Sequence, residues 1–358
     1  MSTIYWGVGL RRSHDEKALD VLFPFIQSST SEEFAEIAKI TAVNAEAINT
    51  KVLTEEQLQQ LVEVNANDLS LATMLGEFDM NDNIYSLTDR VITVIPNFTA
   101  SSVESTEDAY LRLQMLSQRL VKPHGVSLDS IFGKLPNIAW TNYGPVFPED
   151  VQELTIQTFA SIQPLSVTHV DKFPYMTNYN VPSGVRIGNG AKIRLGAHLG
   201  EGTTVMQAGF VNFNAGTEGN AMIEGRVSAG VFVSKDSDVG GGASIMGTLS
   251  GGGKEVVCIG SKCLLGANAG TGISLGFGCT VGAGTYITAS SKVSLYDENS
   301  NPVNLNGDLV AEGENVVKGL DLSGRDKLLI YQDSVSGKLI CRPNPKTVEL
   351  NTSLHIND

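Results

Sequence analysis

Aliphatic side chains recur at every sixth position through the middle of the chain. Val181, Ile187, Ile193, Leu199, Val205 and Val211 form one run. The register returns with Val227, Val233, Val239 and Ile245, and again with Leu275, Val281, Ile287 and Val293. Ile259 and Leu265 fit between. Six aliphatics in six places arise by chance with a probability on the order of 10⁻⁴. A period of six is neither that of an α-helix nor that of a β-strand. It marks the hexapeptide repeats of a β-helix. Each repeat lays down one short flat face, and its aliphatic residue points into a narrow prism. Corners need tight turns, which Gly188, Asn189, Gly190 and Ala191 supply. One coil cannot bury its own core, so the coils form cooperatively.

The pattern has two interruptions. Residues 212–226 disturb the register, and residues 246–256 carry a glycine-rich run from Gly247 through Gly251, Gly252 and Gly253 to Lys254. The second reads as an excursion from the prism, the kind of loop on which sites are built. Before the repeats, Thr30 with Glu33 and Thr54 with Gln57 open two helical patterns as capping boxes. A third helix is expected over 107–120, closing before Pro123, and a strand over Val91, Ile92, Thr93, Val94 and Ile95, stopped by Pro96. Past Lys292 the register fades. Leu328 to Tyr331 and Lys338 to Ile340 read as strands about a Ser336-Gly337 turn. The expected organisation is multi-domain: an α/β N-terminal domain over 1–175, a β-helix domain over 176–295 and a small β-rich C-terminal cap over 296–358.

Composition narrows the function. Thirty-seven glycines in 358 residues exceed ordinary usage, and most fall in 184–284. The formal net charge of −14, with no block of five Lys or Arg, argues against a nucleic-acid partner. An anionic cofactor such as a coenzyme A thioester needs only a few placed cations and backbone N–H groups. Cys258, Cys263, Cys279 and Cys341 form no CxxC and read as small buried residues in a reducing compartment. No run is apolar for the length of a membrane span, and residues 1–14 lack a signal-peptide core. A cytoplasmic protein away from membranes is the expectation.

Three longer stretches carry a resemblance: Phe210 to Thr217, Met222-Ile223-Glu224-Gly225-Arg226, and Gly240 to Gly253. With Cys263 to Asn268 and Val170 to Pro174, they resemble the tetrahydrodipicolinate N-succinyltransferases of actinobacteria and pseudomonads. The match is dense over about 166–295, looser to about 337 and weak before 160. The resemblance implies a left-handed helix and a homotrimer with active sites between neighbouring prisms. It implies succinyl transfer from succinyl-CoA, a co-substrate rather than a resident cofactor. The acceptor would be the amine of tetrahydrodipicolinate in its ring-opened 2-amino-6-oxopimelate form, a step toward diaminopimelate and lysine. Two other readings keep the fold: a CoA-dependent acyltransferase with another donor or acceptor, and a non-catalytic trimeric paralogue.

The candidate catalytic residue is Glu224. An amine attacking a thioester must lose a proton, and a placed carboxylate can take it as general base. The family also assigns the matching glutamate as a nucleophile forming an acyl anhydride, and both roles stay open. Arg226, two residues on, suits a carboxylate of the succinyl donor. Gly241, Ser244, Ala267 and Ala283 match positions along the acyl-CoA path, and Lys318 and Ser334 match cofactor contacts in the cap. Where the family's cap carries Arg-Arg-Asn-Ser, this chain has Tyr331-Gln332-Asp333-Ser334, so phosphate binding there weakens or moves. Relatives that hold Mg²⁺ on the trimer axis use an Asp and a Glu; Ala191 and Ala208 stand at those positions, and no metal is expected. The family's acidic residue in the last coils is Gly282 here. His198 is the single histidine of the prism, so a three-histidine zinc site within one chain is impossible. A packed coil histidine is the reading preferred over a catalytic one.

Overall fold

The computed structural model describes residues 3–76, 85–249, 255–346, 348–351, 353 and 355–357. The 250–254 tip of the glycine-rich excursion lies outside them. Two compact units emerge, one of Met1–Met115 with Gly125–Pro174, the other of Leu116–His124 with Tyr175–Asp358.

The first unit is built on an antiparallel sheet in the order Lys17–Thr30, Thr3–His14, Leu87–Pro96, Asn49–Val52. Both expected capping boxes are present, opening helices Ser31–Thr41 and Glu55–Val64. Their apolar stripes (Phe34 and Ile37, Leu58 and Leu61) pack on Trp6, Val8, Ile92 and Val94 of the sheet. Helix Thr106–Ser117 ends three residues short of the expected Leu120. It buries Arg112, whose guanidinium is neutralised by Asp108 at 2.6 Å and donates to the carbonyls of Ser101 and Ser127, each at 2.8 Å. A smaller sheet, Gly144–Val146, Ile138–Thr141 and Val167–Asp171, completes the unit.

The second unit is a parallel β-helix of two-residue strands on three faces. On the first face Ile187, Val205, Ile223, Val239, Leu265 and Val281 stack as parallel neighbours. Val211, Val227, Ile245, Thr271 and Ile287 stack on the second. Leu199, Thr217, Val233 and Ile259 stack on the third. From Val205 onward these side chains are at most about 1% exposed, and each aliphatic one contributes roughly 1.5–3 kcal/mol by burial. Val181 is different. Counted into the repeat by its spacing, it is 78% exposed, because no coil precedes it to close the prism.

The register is also kept further than its aliphatic content shows. Thr217 and Ile223 hold the inward positions through the stretch that looked disturbed. Two residues are lost only at the corner from Ile223 to Val227, and two more between Thr271 and Leu275, which bridges Ile259. Thr217 is tolerated inside because its Oγ1 lies 2.7 Å from that of Thr203, also buried, and accepts the Gly200 N–H at 3.2 Å.

One corner repeats in left-handed backbone on every coil: Gly184, Gly202, Asn220, Asp236, Lys262 and Gly278 all have φ between 46° and 78°. The tight turn requires that conformation, and glycine, Asn and Asp reach it at least cost. The excursion leaves the prism as a narrow hairpin, with Leu249 N–H on the Glu255 carbonyl and Val257 N–H on that of Gly247.

Residues 176–295 and 296–358, read from the sequence as separate domains, fall in one compact unit. The reason is sheet continuity. Strand Leu328–Gln332 pairs parallel to Thr280–Val281 and turns back through antiparallel Leu339–Pro343. The hairpin expected around Ser336-Gly337 is therefore formed and is also the closing layer of the helix.

Candidate functional site

Glu224 sits on the first short corner. Its backbone N–H bonds the Val239 carbonyl at 2.8 Å, which fixes the turn against the next coil. The side chain is half-buried and reaches over that coil, where a Cβ built on Gly241 would lie 3.5 Å from its Oε2. Glycine at 241 thus keeps the approach to the carboxylate open. On the second face Arg226 is the outward residue beside the inward Val227 and stands opposite Ser244. Its Nε and Nη2 both donate to Ser244 Oγ, at 3.1 and 2.7 Å. The guanidinium is exposed, and Ser244 engages two of its five N–H donors.

From Glu224 a line of small residues climbs the same edge. The residues after the inward positions of successive coils are Gly240, Gly266 and Gly282, followed by Gly241, Ala267 and Ala283. A Cβ on Gly240 would meet Ala267 N at 3.0 Å, and one on Gly266 would meet Ala283 N at 2.6 Å. The backbones approach closely, and Ala267 and Ala283 remain exposed. The edge ends at Tyr331, against whose Cβ a side chain on Gly282 would rest at 3.1 Å.

The structure therefore brings together Glu224 and Gly241, joins Arg226 to Ser244, and sets Ala267 and Ala283 on the same edge. Lys318 and Ser334 are exposed residues beyond the last coil, in the cap. Asp333, the acid gained there, turns inward on its own loop. Its Oδ1 accepts from Ser336 N–H at 2.6 Å and Ser336 Oγ at 2.7 Å, which holds its pKa below the usual carboxylate range.

His198 is packed. It is 6% exposed, and its Nδ1 lies 3.0 Å from the Val121 carbonyl. Burial pushes its pKa below the ordinary imidazole value. Cys263, Cys279 and Cys341 are buried, and burial pushes the Cys341 thiol up to about 12. Cys258 departs from the sequence expectation. It is exposed, because it is the outward member of the Cys258–Ile259 strand.

Sequence reasoning passed over two residues, Asp238, which interacts with the Glu224 charge, and His355, which interacts with that of Asp238. Asp238 is the outward residue before inward Val239, paired with Met222 one coil earlier. It holds its proton to higher pH than an ordinary Asp, first because half-burial opposes its charge and then because Glu224 repels it; His355 pulls the other way. The parity of the repeat could have found Asp238. Nothing periodic marks His355.

Comparison with known proteins adds an independent line. Residues 256–289 match the hexapeptide repeat of succinyl-transferase, and residues 135–175 match the tetrahydrodipicolinate N-succinyltransferase middle region. The chain is 46% identical to a Pseudomonas aeruginosa 2,3,4,5-tetrahydropyridine-2,6-dicarboxylate N-succinyltransferase, covering 99% of this chain and 98% of the relative. It is 43% identical to the Vibrio cholerae protein of the same name, over 99% of both. A crystal structure from Campylobacter jejuni, a candidate 2,3,4,5-tetrahydropyridine-2-carboxylate N-succinyltransferase, matches with a TM-score of 0.81 at 31% identity. That match covers 96% of this chain and 93% of the other.

Proposed function

The chain belongs to the 2,3,4,5-tetrahydropyridine-2,6-dicarboxylate N-succinyltransferase family, and from that premise we propose that Glu224 is the general base of its reaction. The enzyme transfers a succinyl group to tetrahydrodipicolinate on the way to diaminopimelate and lysine. The donor is succinyl-CoA, used as a co-substrate. The observation that carries the reading is the placement of Glu224: a half-buried carboxylate on a shortened corner, kept open by Gly241 at the foot of a smooth edge.

On this reading the chemistry is a proton and an oxyanion. The acceptor amine loses its proton to Glu224 as its nitrogen bonds the thioester carbonyl carbon. The tetrahedral oxyanion then collapses, the C–S bond breaks and the CoA sulfur takes the proton. Arg226, aimed by Ser244, holds the far carboxylate of the succinyl group. Ala267 and Ala283 leave room for the pantetheine arm along the edge, and Lys318 and Ser334 meet the distal part of CoA in the cap. The prism winds left-handed, and the enzyme is a cytoplasmic homotrimer whose sites lie between neighbouring prisms. No helix among the described residues is long and apolar enough to cross a membrane.

The test is thiol release from succinyl-CoA with and without the acceptor. Wild type releases thiol only with acceptor, and Glu224→Gln lowers kcat by about 10²–10⁴ while oligomeric state is unchanged. Radiolabelled succinyl-CoA without acceptor leaves the protein unlabelled. Label released by hydroxylamine would instead make Glu224 an acyl-anhydride nucleophile. A Glu224→Gln enzyme at the wild-type rate would remove Glu224 from the mechanism.

A further inference from the structure

The last residues of the chain return along the helix. Asn344 is tied near the closing coil, its Nδ2 donating to the Gly278 carbonyl and to Thr280 Oγ1, each at 2.9 Å. The tail then runs down the left-handed corner toward the first coils. There His355 Nδ1 lies 2.9 Å from the Gly202 carbonyl, and Asn357 Nδ2 donates to the Thr203 carbonyl at 3.1 Å. Between these ends Glu349, Leu350 and Ile356 border the same cavity as the corner residues Asn220, Asp236 and Lys262, so the described tail residues lie along one edge of the stack.

That edge borders the first face. On each coil the corner residue stands two positions before the outward residue of the face, and Glu224 stands just after the face ends. The face between the two edges presents Met222, Asp238 and Leu264 outward. On Glu224's own coil the corner residue Asn220, which borders a cavity with His355, and Glu224 flank strand Met222–Ile223, and Asp238 on the next coil interacts with both the Glu224 and the His355 charges.

The tail is held by a few polar ties. Between it and the corner lies a cavity of about 500 Å³, bordered by Asn220, Asp236, Lys262, Glu349, Leu350 and His355. Among the described residues His355 Nε2 is buried without a hydrogen-bond partner. An imidazole nitrogen in that position is costly as a mere packing element.

We propose that Leu350, His355 and Asn357 of the C-terminal segment form a wall of the catalytic face on the side opposite Glu224 and bound the space open to the acceptor. The proposal rests on the assignment of Glu224 as the base. The tail's residues are positioning residues. They act by limiting where a small dicarboxylic amine can lie, and CoA follows the opposite edge.

Steady-state kinetics on the full-length enzyme test this. The variants are His355→Ala/Asn357→Ala, which unties the foot of the segment, and a chain ending after Pro345. Both are expected to raise the acceptor KM about tenfold, because an acceptor that is no longer confined must be ordered at binding. The succinyl-CoA KM and the melting temperature should stay within twofold and 2 °C. An unchanged acceptor KM in the double variant overturns the proposal. So does a fall in melting temperature with both KM values moving together, which would make the segment a structural clasp. Glu224→Gln assayed alongside separates the two ideas. Full activity in that variant removes the base assignment, and the acceptor KM of the tail variants reads the wall independently.

Discussion

Arg226→Ala should cost the enzyme its preference for a succinyl donor over an acetyl donor. In the structure two guanidinium N–H groups converge on Ser244 Oγ at 3.1 and 2.7 Å. That leaves three donors of the planar fork for a ligand. A hydrogen bond between charged partners is worth about 1.5–3 kcal/mol, and exposure of Arg226 places this one near the low end. About 1.5 kcal/mol is roughly tenfold in kcat/KM. The loss should fall on succinyl-CoA alone, because acetyl-CoA has no distal carboxylate. Ser244→Ala removes only the aim of the side chain and should cost about two- to fivefold in the same direction. The assay is thiol release at limiting donor, run with both thioesters at fixed acceptor. The quantity read is the succinyl-to-acetyl ratio of kcat/KM, which should drop about tenfold in Arg226→Ala. An equal loss for both donors would place Arg226 on the CoA or acceptor side. No loss for either would make it a surface residue braced by a serine.

Two further predictions concern the prism. Thr217→Val should destabilise the protein by about 1–3 kcal/mol, because it strands the buried Thr203 hydroxyl. The Thr203→Val/Thr217→Val double variant should recover at least half of that in chemical unfolding, whereas simple additivity would disprove the pairing. His198 adds a pH dependence. Its folded pKa lies below the ordinary value, so the unfolded chain takes the proton more readily. Its contribution is intact above about pH 6.5 and lost as pH falls below that, at up to about 1.4 kcal/mol per unit. His198→Asn keeps a donor for the Val121 carbonyl but cannot titrate. Its unfolding free energy between pH 7.5 and 5.5 should be flatter than wild type, and parallel curves would refute the argument.

The prism was legible in the sequence because its physics imposes one rule on every sixth residue. The rule was read too narrowly. Thr217 and Thr271 keep the inward register with a hydroxyl satisfied inside the core, and a search for aliphatics skips them. Val181 shows the converse, since correct spacing has no consequence where no coil stacks beneath. The helix starts at Thr30 and Thr54 were visible because a cap is local chemistry, whereas the end at Ser117 depends on tertiary packing. Glu224, Gly241, Arg226 and Ser244 could be named from the family's motifs. That Glu224 stands on a corner two residues short, or that Arg226 grips Ser244, needed the stacking of coils. The path of the tail had no signal at all, because it is fixed by single contacts to corner carbonyls far away in sequence.

The pairing of Leu329-Ile330 with Thr280–Val281 also sets a timetable for synthesis. The growing prism ends at every stage in a raw parallel edge, a template for any other strand. The strand that covers it leaves the ribosome roughly 50 residues after the coil it covers. At ordinary elongation rates that is about 3–10 s, during which each nascent chain carries a surface able to capture its neighbours on the same message. The hairpin is thus the step that separates a finished subunit from a filament seed, and a truncation just before Leu328 would be selected against even if every catalytic residue were already in place.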